Sequence, residues 1–148
     1  MSCIFCDIAK RSIAGHIVFE DEVTIGFLDT RPLFPGHVLL IPRTHYETFA
    51  DLPPELIAPL FGSAQRIAAI MPEALHAEGT FVALNNRVSQ SVPHLHIHVV
   101  PRRFKDGLRG FLWPRQRYED EVAEARVAAA IRAALSAETV SDAPWQGA

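Results

Sequence analysis

The sequence predicts an α+β fold, a five-stranded antiparallel sheet with helices packed on it. Five short runs rich in β-forming residues are bounded by turn residues, and three segments carry apolar residues at helical spacing. The chain has 148 residues and is 49% hydrophobic, which is enough for one domain to bury a core of its own. We therefore expect a single domain over residues 1–136, followed by a flexible tail over 137–148.

The N-terminal elements are a short helix, a hairpin and a buried strand. The first ten residues place apolar side chains at helical spacing. The β-rich runs at 16–19 and 23–28 are joined by three polar residues, which predicts a hairpin. The apolar run at 38–41 is closed by Pro42 and is predicted to be a buried strand.

The remaining elements follow from caps and periodicity. A long helix begins after Asp51, which can cap it, and Pro72 is expected to end it. The other predictions are a strand at 80–84, a polar loop at 85–91, a strand at 94–100 and an Ala-rich helix at 119–136.

The charge distribution argues against a long nucleic acid as ligand. The net charge is −3, with 14 Lys+Arg against 17 Asp+Glu, and phosphate-backbone binding needs a basic surface. The stretch 101–117 holds six basic residues and one acid, so it carries +5 and the remainder −8. Its basic residues are Arg102, Arg103, Lys105, Arg109, Arg115 and Arg117. This stretch suits a small polyanion, and a solvated basic loop is an equally good interpretation.

Hydropathy and the N-terminus indicate where the protein resides. No run approaches the about 18 consecutive apolar residues of a membrane span, so no membrane partner is expected. The N-terminal residues lack the basic and apolar regions of a signal peptide. We therefore expect a cytoplasmic protein whose two cysteines do not form a structural disulfide.

A row of histidines at 94–100 is the most informative segment. In a strand the imidazoles of His94, His96 and His98 share one face at a spacing of about 6.6 Å, while the intervening apolar residues bury the other. Two functions compete for such a row. Three histidines on one metal ion would bend the strand badly, whereas neutral imidazole is suited to nucleophilic and acid–base work on phosphorus.

The histidine row and its flanks resemble a known family. The run His-Leu-His-Ile-His-Val-Val at 94–100, preceded by Gln90-Ser91-Val92, is similar to the signature of the histidine triad (HIT) nucleotide hydrolases and transferases. Further segments of the family pattern lie in the expected order at 4–8, 27–29, 35–42 and 44–45. The resemblance covers about residues 3–103.

The resemblance implies a catalytic set. His96 matches the nucleophile that attacks the α-phosphorus and forms a covalent nucleotidyl-histidine. His98 and His37 match positions that hold phosphate oxygens as charge develops, although His37 also suits a structural role. Gln90 and Ser91 match the loop that binds phosphate and assists the leaving group.

The resemblance also implies a nucleoside pocket. Asp29 matches the carboxylate that accepts the ribose hydroxyls, and it could instead cap a turn. Phe5, Ile8 and Phe27 match the apolar walls around the base, a role that overlaps with ordinary core packing.

Two features depart from the family pattern or fall outside it. Val88-Ser89 stand before the glutamine where many members have glycine, which lets backbone amides approach a phosphate closely. The side chain of Asn85 or Asn86 is therefore expected to make some of the phosphate contacts instead. His16 matches nothing in the pattern and is expected at the surface.

The cysteine pair is ambiguous by itself, because thiols two residues apart can bind zinc, exchange electrons or pack. A subset of the family has such a pair around one structural zinc, together with a histidine after the Pro-Lys/Arg motif and the first triad histidine. The resemblance therefore implies a closed zinc site of Cys3, Cys6, His45 and His94, with no water on the metal. That site would tie the N-terminal helix to the catalytic strand.

The predicted function is hydrolysis of a nucleotidyl bond through His96. Dinucleoside polyphosphates and adenosine phosphoramidates remain equal candidates as substrates, because only the leaving-group pocket differs between them. A nucleotidyl transferase or phosphorylase and a nucleotide-binding regulator with weak turnover are the alternatives. A homodimer is expected, with the apolar helix at 53–71 as a plausible contact surface. The stretch 101–117 would then face distal phosphates or pack against the second subunit.

Overall fold

The computed structural model describes residues 3–108 and 117–138, with side chains described as far as residue 133. The chain falls into two compact units, Met1–Asp106 and Gly107–Ala148. Among the described residues, the first unit carries the sheet and two α-helices, and the second carries one α-helix. Whether 1–136 forms a single domain stays a prediction, and the predicted tail lies outside the described residues from 139 onward.

The sheet has the five antiparallel strands that the sequence predicts. Its strand order is β1-β2-β3-β5-β4, and every neighbouring pair is antiparallel. The strands are β1 (Ile17–Glu20), β2 (Thr24–Leu28), β3 (Val38–Pro42), β4 (Gly79–Leu84) and β5 (Ile97–Arg102). The polar turn between β1 and β2 is closed by the Asp21 carboxylate, which accepts the backbone N–H groups of Val23 and Thr24.

A long helix, α2 (Pro54–Leu75), covers one face of the sheet. It buries Leu60, Ala64, Ile67 and Met71 in the main core cluster. That cluster includes Val38, Leu40, Leu95, Ile97 and Val99 from the strands and the segment before β5. Because strand side chains alternate, these residues all point to the same side.

The ends of α2 differ from the prediction. Asp51 caps a one-turn 3-10 helix at Phe49–Asp51 instead, where its carboxylate accepts the backbone N–H of Thr48. The helix also continues past Pro72 to Leu75 and is capped by His76, whose φ is 53° and whose N–H donates to the Met71 carbonyl. A left-handed residue with such a hydrogen bond is a common C-terminal cap of helices. Pro72 lies only a turn from that stop, so it removes one hydrogen bond without breaking the helix.

A short helix, α1 (Ile4–Ala9), forms within the first ten residues, as predicted, and it packs on the opposite face of the sheet. It buries Phe5 and Ile8 in a smaller cluster with Ile25, Phe27, Leu39 and Ile41. The sheet therefore has a large apolar core on the α2 face and a small one on the α1 face.

The strand predicted at 94–100 begins later than expected. Only His98 of the three histidines lies in β5, which starts at Ile97. The register pairs Ile97 with Leu40, so its continuation would place Leu95 opposite Pro42, which has no N–H for the ladder. Instead, Leu95 N–H bonds to the Tyr46 carbonyl at 2.7 Å.

Part of the basic stretch 101–117 is used within the first unit. Arg102 forms a two-point ion pair with Asp106, and an Arg103 Nη2 donates to the Leu75 carbonyl. The predicted contact of this stretch with phosphates or a second subunit involves residues 109–116, which lie outside the described residues. The Ala-rich helix α3 spans Glu121–Glu138, two residues later than predicted. Among the described residues, no helix is long and apolar enough to cross a membrane.

Candidate active site and metal centre

The residues at 94–98 alternate between the two faces even before β5 begins. Leu95 and Ile97 are 0% exposed and belong to the α2-side core. His94 and His96 meet Phe5 of α1 edge-on, with ring centroids 6.1 and 5.2 Å away. The alternation predicted from the sequence is thus present on both sides of the strand boundary.

Cys3, Cys6, His45 and His94 come together beside α1. Their ligand atoms all lie within 4.8 Å of one another. Cys3 Sγ and Cys6 Sγ lie 3.4 and 3.5 Å from His94 Nδ1, and Cys6 Sγ lies 3.4 Å from His45 Nδ1. Tetrahedral zinc with its usual bond lengths places S and N ligands about 3.6 Å apart. The four residues therefore fit a structural zinc site.

The chemistry of His94 also fits a metal. Its Nε2 donates to the Pro42 carbonyl at 3.0 Å, so its Nδ1 carries the lone pair that faces the thiols. Burial lowers the pKa of His94 to about 4, so the ring is neutral at pH 7. Burial and the adjacent Cys3 raise the pKa of the Cys6 thiol, and a bound cation would favour both thiolates.

His96 has one nitrogen committed and one free. Its Nδ1 lies 2.7 Å from the His94 carbonyl, and a carbonyl only accepts, so Nδ1 carries the proton. Nε2 is then the basic nitrogen of a ring that lines a cavity and is 3% exposed. An imidazole held in one tautomer presents its lone pair without first moving a proton.

His98 and His37 form a pair with a defined direction. His37 Nδ1 accepts the Leu33 N–H at 3.2 Å, so His37 Nε2 carries the proton and donates to His98 Nδ1 at 2.9 Å. The proton of His98 is therefore on Nε2. Burial, with smaller contributions from His96 and His37, lowers the pKa of His98 to about 4. His98 is thus a neutral donor at pH 7, and His37 stands behind it.

The cavity on the α1 face has a volume of about 560 Å³, within the range of small-molecule sites. It brings together most of the predicted nucleoside and phosphate residues. They are Phe5, Ile8, Phe27, Asp29, Ser91, His96 and His98. Phe5 and Phe27 meet edge-to-face at 5.3 Å, so one wall of the cavity is aromatic.

Asp29 closes a turn, and it also lines the cavity. Its Oδ1 accepts the Arg31 N–H at 2.8 Å and closes a turn. Its Oδ2 lies 3.6 Å from His37 Nδ1, and the residue lines the cavity. One carboxylate oxygen therefore fixes the loop while the other remains able to accept a hydrogen bond.

Several residues that line the cavity were not predicted from the sequence. Ile13, His16 and Arg31 line the same cavity, and His16 was expected only at the surface. His16 is exposed, but its carbonyl accepts the Leu28 N–H at 3.0 Å, which places it beside Asp29. No local pattern signals this position, because it depends on the pairing of β1 with β2.

Four of the predicted site residues do not line the cavity. They are His37, Asn85, Asn86 and Gln90. Gln90 Oε1 accepts the Arg87 N–H at 2.6 Å, and its Nε2 donates to the Glu47 carbonyl at 2.7 Å. Asn86 Oδ1 accepts the Phe49 N–H at 2.7 Å. These bonds tie the loop 85–91 to the segment at 47–49.

The same loop contains two left-handed residues that are not glycine. Arg87 and Ser89 have φ angles of 64° and 60°, a region that costs an L-residue energy. The side-chain bonds of Gln90 and Asn86 hold the loop in this shape. The loop in which Val88-Ser89 replace the glycine of the family pattern is thus held by the side-chain amides of Asn86 and Gln90.

The described residues therefore combine an antiparallel sheet with tautomer-fixed histidines at a cavity that has one aromatic wall and the Asp29 carboxylate, which makes this cavity a candidate histidine-based active site. The family model described as the HIT domain matches residues 10–105. The chain belongs to the HIT family.

Relatives and solved structures agree with this assignment. An uncharacterized HIT-like protein of Saccharolobus solfataricus is 37% identical over 106 residues, covering 70% of this chain and 76% of that protein. A crystal structure of a zinc-bound histidine triad family protein from Mycobacterium smegmatis is 39% identical. The superposition covers 93% of this chain and 98% of the Mycobacterium smegmatis chain, with a TM-score of 0.69. The similarity to a zinc-bound relative supports the metal assignment made from the ligand geometry.

Three relatives have names that state an activity. An adenosine 5'-monophosphoramidase of Saccharomyces cerevisiae is 34% identical over 78% of this chain and 72% of its own length. An adenylylsulfatase of Arabidopsis thaliana is 32% identical over 72% of this chain, and a bis(5'-nucleosyl)-tetraphosphatase of Schizosaccharomyces pombe is 27% identical over 66%. The aligned region covers only 55% of each of the last two proteins.

Proposed function

We propose that this protein hydrolyses an adenine nucleotide at its α-phosphorus through a covalent nucleotidyl-His96 intermediate. The observation that carries the proposal is the hydrogen bond from His96 Nδ1 to the His94 carbonyl. It leaves Nε2 as a nucleophile inside a cavity that has groups suited to a nucleotide. Names of relatives that act on nucleotides support the same class of reaction.

The chemistry divides into two displacements at phosphorus. The Nε2 lone pair forms a P–N bond as the bond to the leaving group breaks, and the leaving group takes up a proton from solvent. A water molecule then attacks phosphorus and releases a proton to solvent, the P–N bond breaks, AMP departs and neutral His96 is restored. Imidazole suits both steps because it is nucleophilic when neutral and a good leaving group when protonated.

The remaining residues hold the nucleotide for this attack. Phe5, Ile8 and Phe27 pack around the base, and Asp29 Oδ2 accepts the ribose hydroxyls. His98 Nε2–H and the Ser91 hydroxyl donate to the oxygens of the α-phosphate. Since His98 stays neutral at pH 7, it donates as a dipole and stabilises the charge that develops on those oxygens.

His37, Gln90, Asn85 and Asn86 would act from behind the cavity. His37 fixes the proton of His98 on Nε2. Gln90 and Asn86 hold the loop that ends at Ser91, and Asn85 begins that loop. Zinc bound by Cys3, Cys6, His45 and His94 supplies a structural crosslink, since four protein ligands leave no position for a reacting water.

Adenosine phosphoramidate is the leading substrate. The relative named as a monophosphoramidase aligns over most of both chains, whereas the one named as a tetraphosphatase is less identical and aligns over little more than half of its own length. A dinucleoside polyphosphate is the second candidate. It would use the same nucleophile and differ only in the leaving group.

The function is tested by following AMP release from adenosine 5'-phosphoramidate and from diadenosine tetraphosphate in water labelled with heavy oxygen. We expect AMP that carries one labelled oxygen, with phosphoramidate as the faster substrate. A parallel reaction with inorganic phosphate tests for transfer, since a phosphorylase would make ADP in place of AMP. Absence of turnover with both substrates, despite tight AMP binding, would favour the nucleotide-binding regulator and overturn the proposal.

A further inference from the structure

We propose that Cys3 and Cys6 are positioning residues for the nucleotide, so that zinc and nucleotide bind cooperatively through α1. This inference rests on the proposed function because it assumes that the α1-face cavity binds a nucleotide. It goes further by assigning to the metal site a role in substrate affinity. Four features of the described residues carry it.

The first feature is how α1 is attached. The helix has six residues and buries only Phe5 and Ile8, and helices this short are not stable alone. In the described part of the chain, the hydrogen bonds that join Cys3–Ala9 to residues beyond position 13 all run from a cysteine thiol to His45 or His94. Apart from the packing of Phe5 and Ile8 in the small apolar cluster, the attachment of α1 therefore rests on the metal centre.

The second feature is what α1 contributes to the cavity. Ile4, Phe5 and Ile8 all line it, and two of these residues stand between or next to the cysteines in sequence. Phe5 completes the aromatic wall with Phe27. The two proposed metal ligands thus flank two of the cavity-lining residues within one helical turn.

The third feature is that the hydrogen bond that fixes the His96 tautomer has anchors other than the metal, while the His96 ring also touches Phe5 of α1. His94 is fixed by its Nε2 bond to the Pro42 carbonyl, and the next residue is fixed by the bond from Leu95 N–H to Tyr46. The His96 Nδ1 bond to the His94 carbonyl therefore does not need zinc. Loss of zinc should weaken nucleotide binding and leave the chemical step largely unchanged.

The fourth feature is that ordering α1 serves both ligands. A nucleotide that packs on Phe5 and Ile8 favours the docked helix, and so does a metal bound by Cys3 and Cys6. Two ligands that favour the same state raise each other's affinity by the same factor. Zinc should therefore tighten AMP binding, and AMP should tighten zinc binding equally.

The main experiment measures both affinities on the full-length wild-type protein. AMP binding is measured by calorimetry with the protein zinc-loaded and then stripped by a chelator, and zinc affinity is measured by chelator competition with and without saturating AMP. We expect about a 10-fold weaker AMP affinity without zinc, and a matching factor for zinc without AMP. Hydrogen exchange at residues 4–9 should rise on stripping and fall when zinc is restored.

Equal AMP affinity with and without zinc would overturn the inference. Global loss of circular dichroism on stripping would also overturn it, because only α1 is expected to be released. If zinc-loaded protein does not bind AMP at all, the proposed function fails instead, so the two failures are distinguishable.

Variants separate positioning from general damage. Cys6→Ser should raise KM about 10-fold and leave kcat within about 2-fold, and Cys6→Asp should recover the wild-type KM when zinc is in excess. Lys10→Ala, at the exposed end of α1, is the matched control and should change neither constant. A fall in kcat with unchanged KM in Cys6→Ser would contradict a positioning role.

Discussion

The two faces of the sheet differ in what holds them and in what they do. On the α2 face, a 22-residue helix packs against strand residues in the larger core cluster. On the α1 face, a six-residue helix covers a smaller cluster, and the histidines, the cavity and the metal ligands all lie there. Neighbouring residues such as His96 and Ile97 belong to opposite faces. The α2 face holds the larger part of the buried apolar core and so supplies most of the stability, which leaves the α1 face free to be polar.

The substitution with the largest expected effect removes the nucleophile from the α1 face. His96→Ala should lower kcat by about 10,000-fold or more, because His98, the other histidine of the row that lines the cavity, has its Nδ1 lone pair occupied by His37 and presents an N–H instead. The variant should remain folded, since the α2-side core is untouched. Release of AMP measures the activity and circular dichroism measures the fold. Turnover within 10-fold of wild type would show that another group attacks phosphorus.

The neighbouring substitution on the α2 face should have the opposite result. Ile97→Ala removes a fully buried side chain from the main core and should reduce the free energy of unfolding by about 2–5 kcal/mol. Its kcat, measured well below the unfolding midpoint, should stay close to that of wild type. Urea denaturation gives the stability. A strongly reduced kcat in fully folded Ile97→Ala would mean that the two faces are not separable.

A smaller effect is expected at the ribose end of the cavity. Asp29→Asn keeps an oxygen to accept the Arg31 N–H but loses the charge that would bind the ribose hydroxyls. We expect kcat/KM for adenosine phosphoramidate to fall about 10- to 100-fold. The 2',3'-dideoxy analogue is the control substrate, and its kcat/KM should change little. An equal loss for both substrates would assign Asp29 to the turn alone.

The smallest effect concerns pH and the neutral histidines. The pKa of His98 is lowered from 6.5 to about 4, so the unfolded chain binds more protons than the folded chain between these values. The stability that His98 contributes is present above pH 6.5 and is lost as the pH falls toward 4. Urea denaturation of zinc-loaded protein should show a steeper loss of stability over this range in wild type than in His98→Asn. Identical slopes would contradict a buried neutral His98.

The sequence was sufficient for the fold because the strands carry strong local patterns. The apolar run at 38–41 became β3, and the alternation around His96 predicted which residues face the core. The end of the α2 helix was not predictable, because it depends on the left-handed His76 and not on Pro72. The start of β5 was also missed, since it depends on Pro42 lying opposite in the sheet.

The candidate site was predictable to the extent that its residues carry a motif. Two of the metal ligands, Cys3 and His94, are 91 residues apart in the sequence. Only the resemblance to a family predicted that they lie together, because no local pattern connects them. His16 entered the cavity through the pairing of two strands, which no local pattern reports. Gln90 and Asn86 were expected at phosphate, but in the structure their amides bond to backbone groups of the loop and of the segment beside it.

The most direct measurement is rapid acid-free quenching of the reaction, followed by mass spectrometry of the peptide that contains the histidine row. With adenosine phosphoramidate as substrate, we expect an adenylyl group attached to His96 during turnover and absent from His96→Ala. The modified fraction should rise and decay at rates consistent with AMP release. An adenylyl group on His98 or His37, or turnover at full rate with no adduct at any time, would contradict nucleophilic attack by His96.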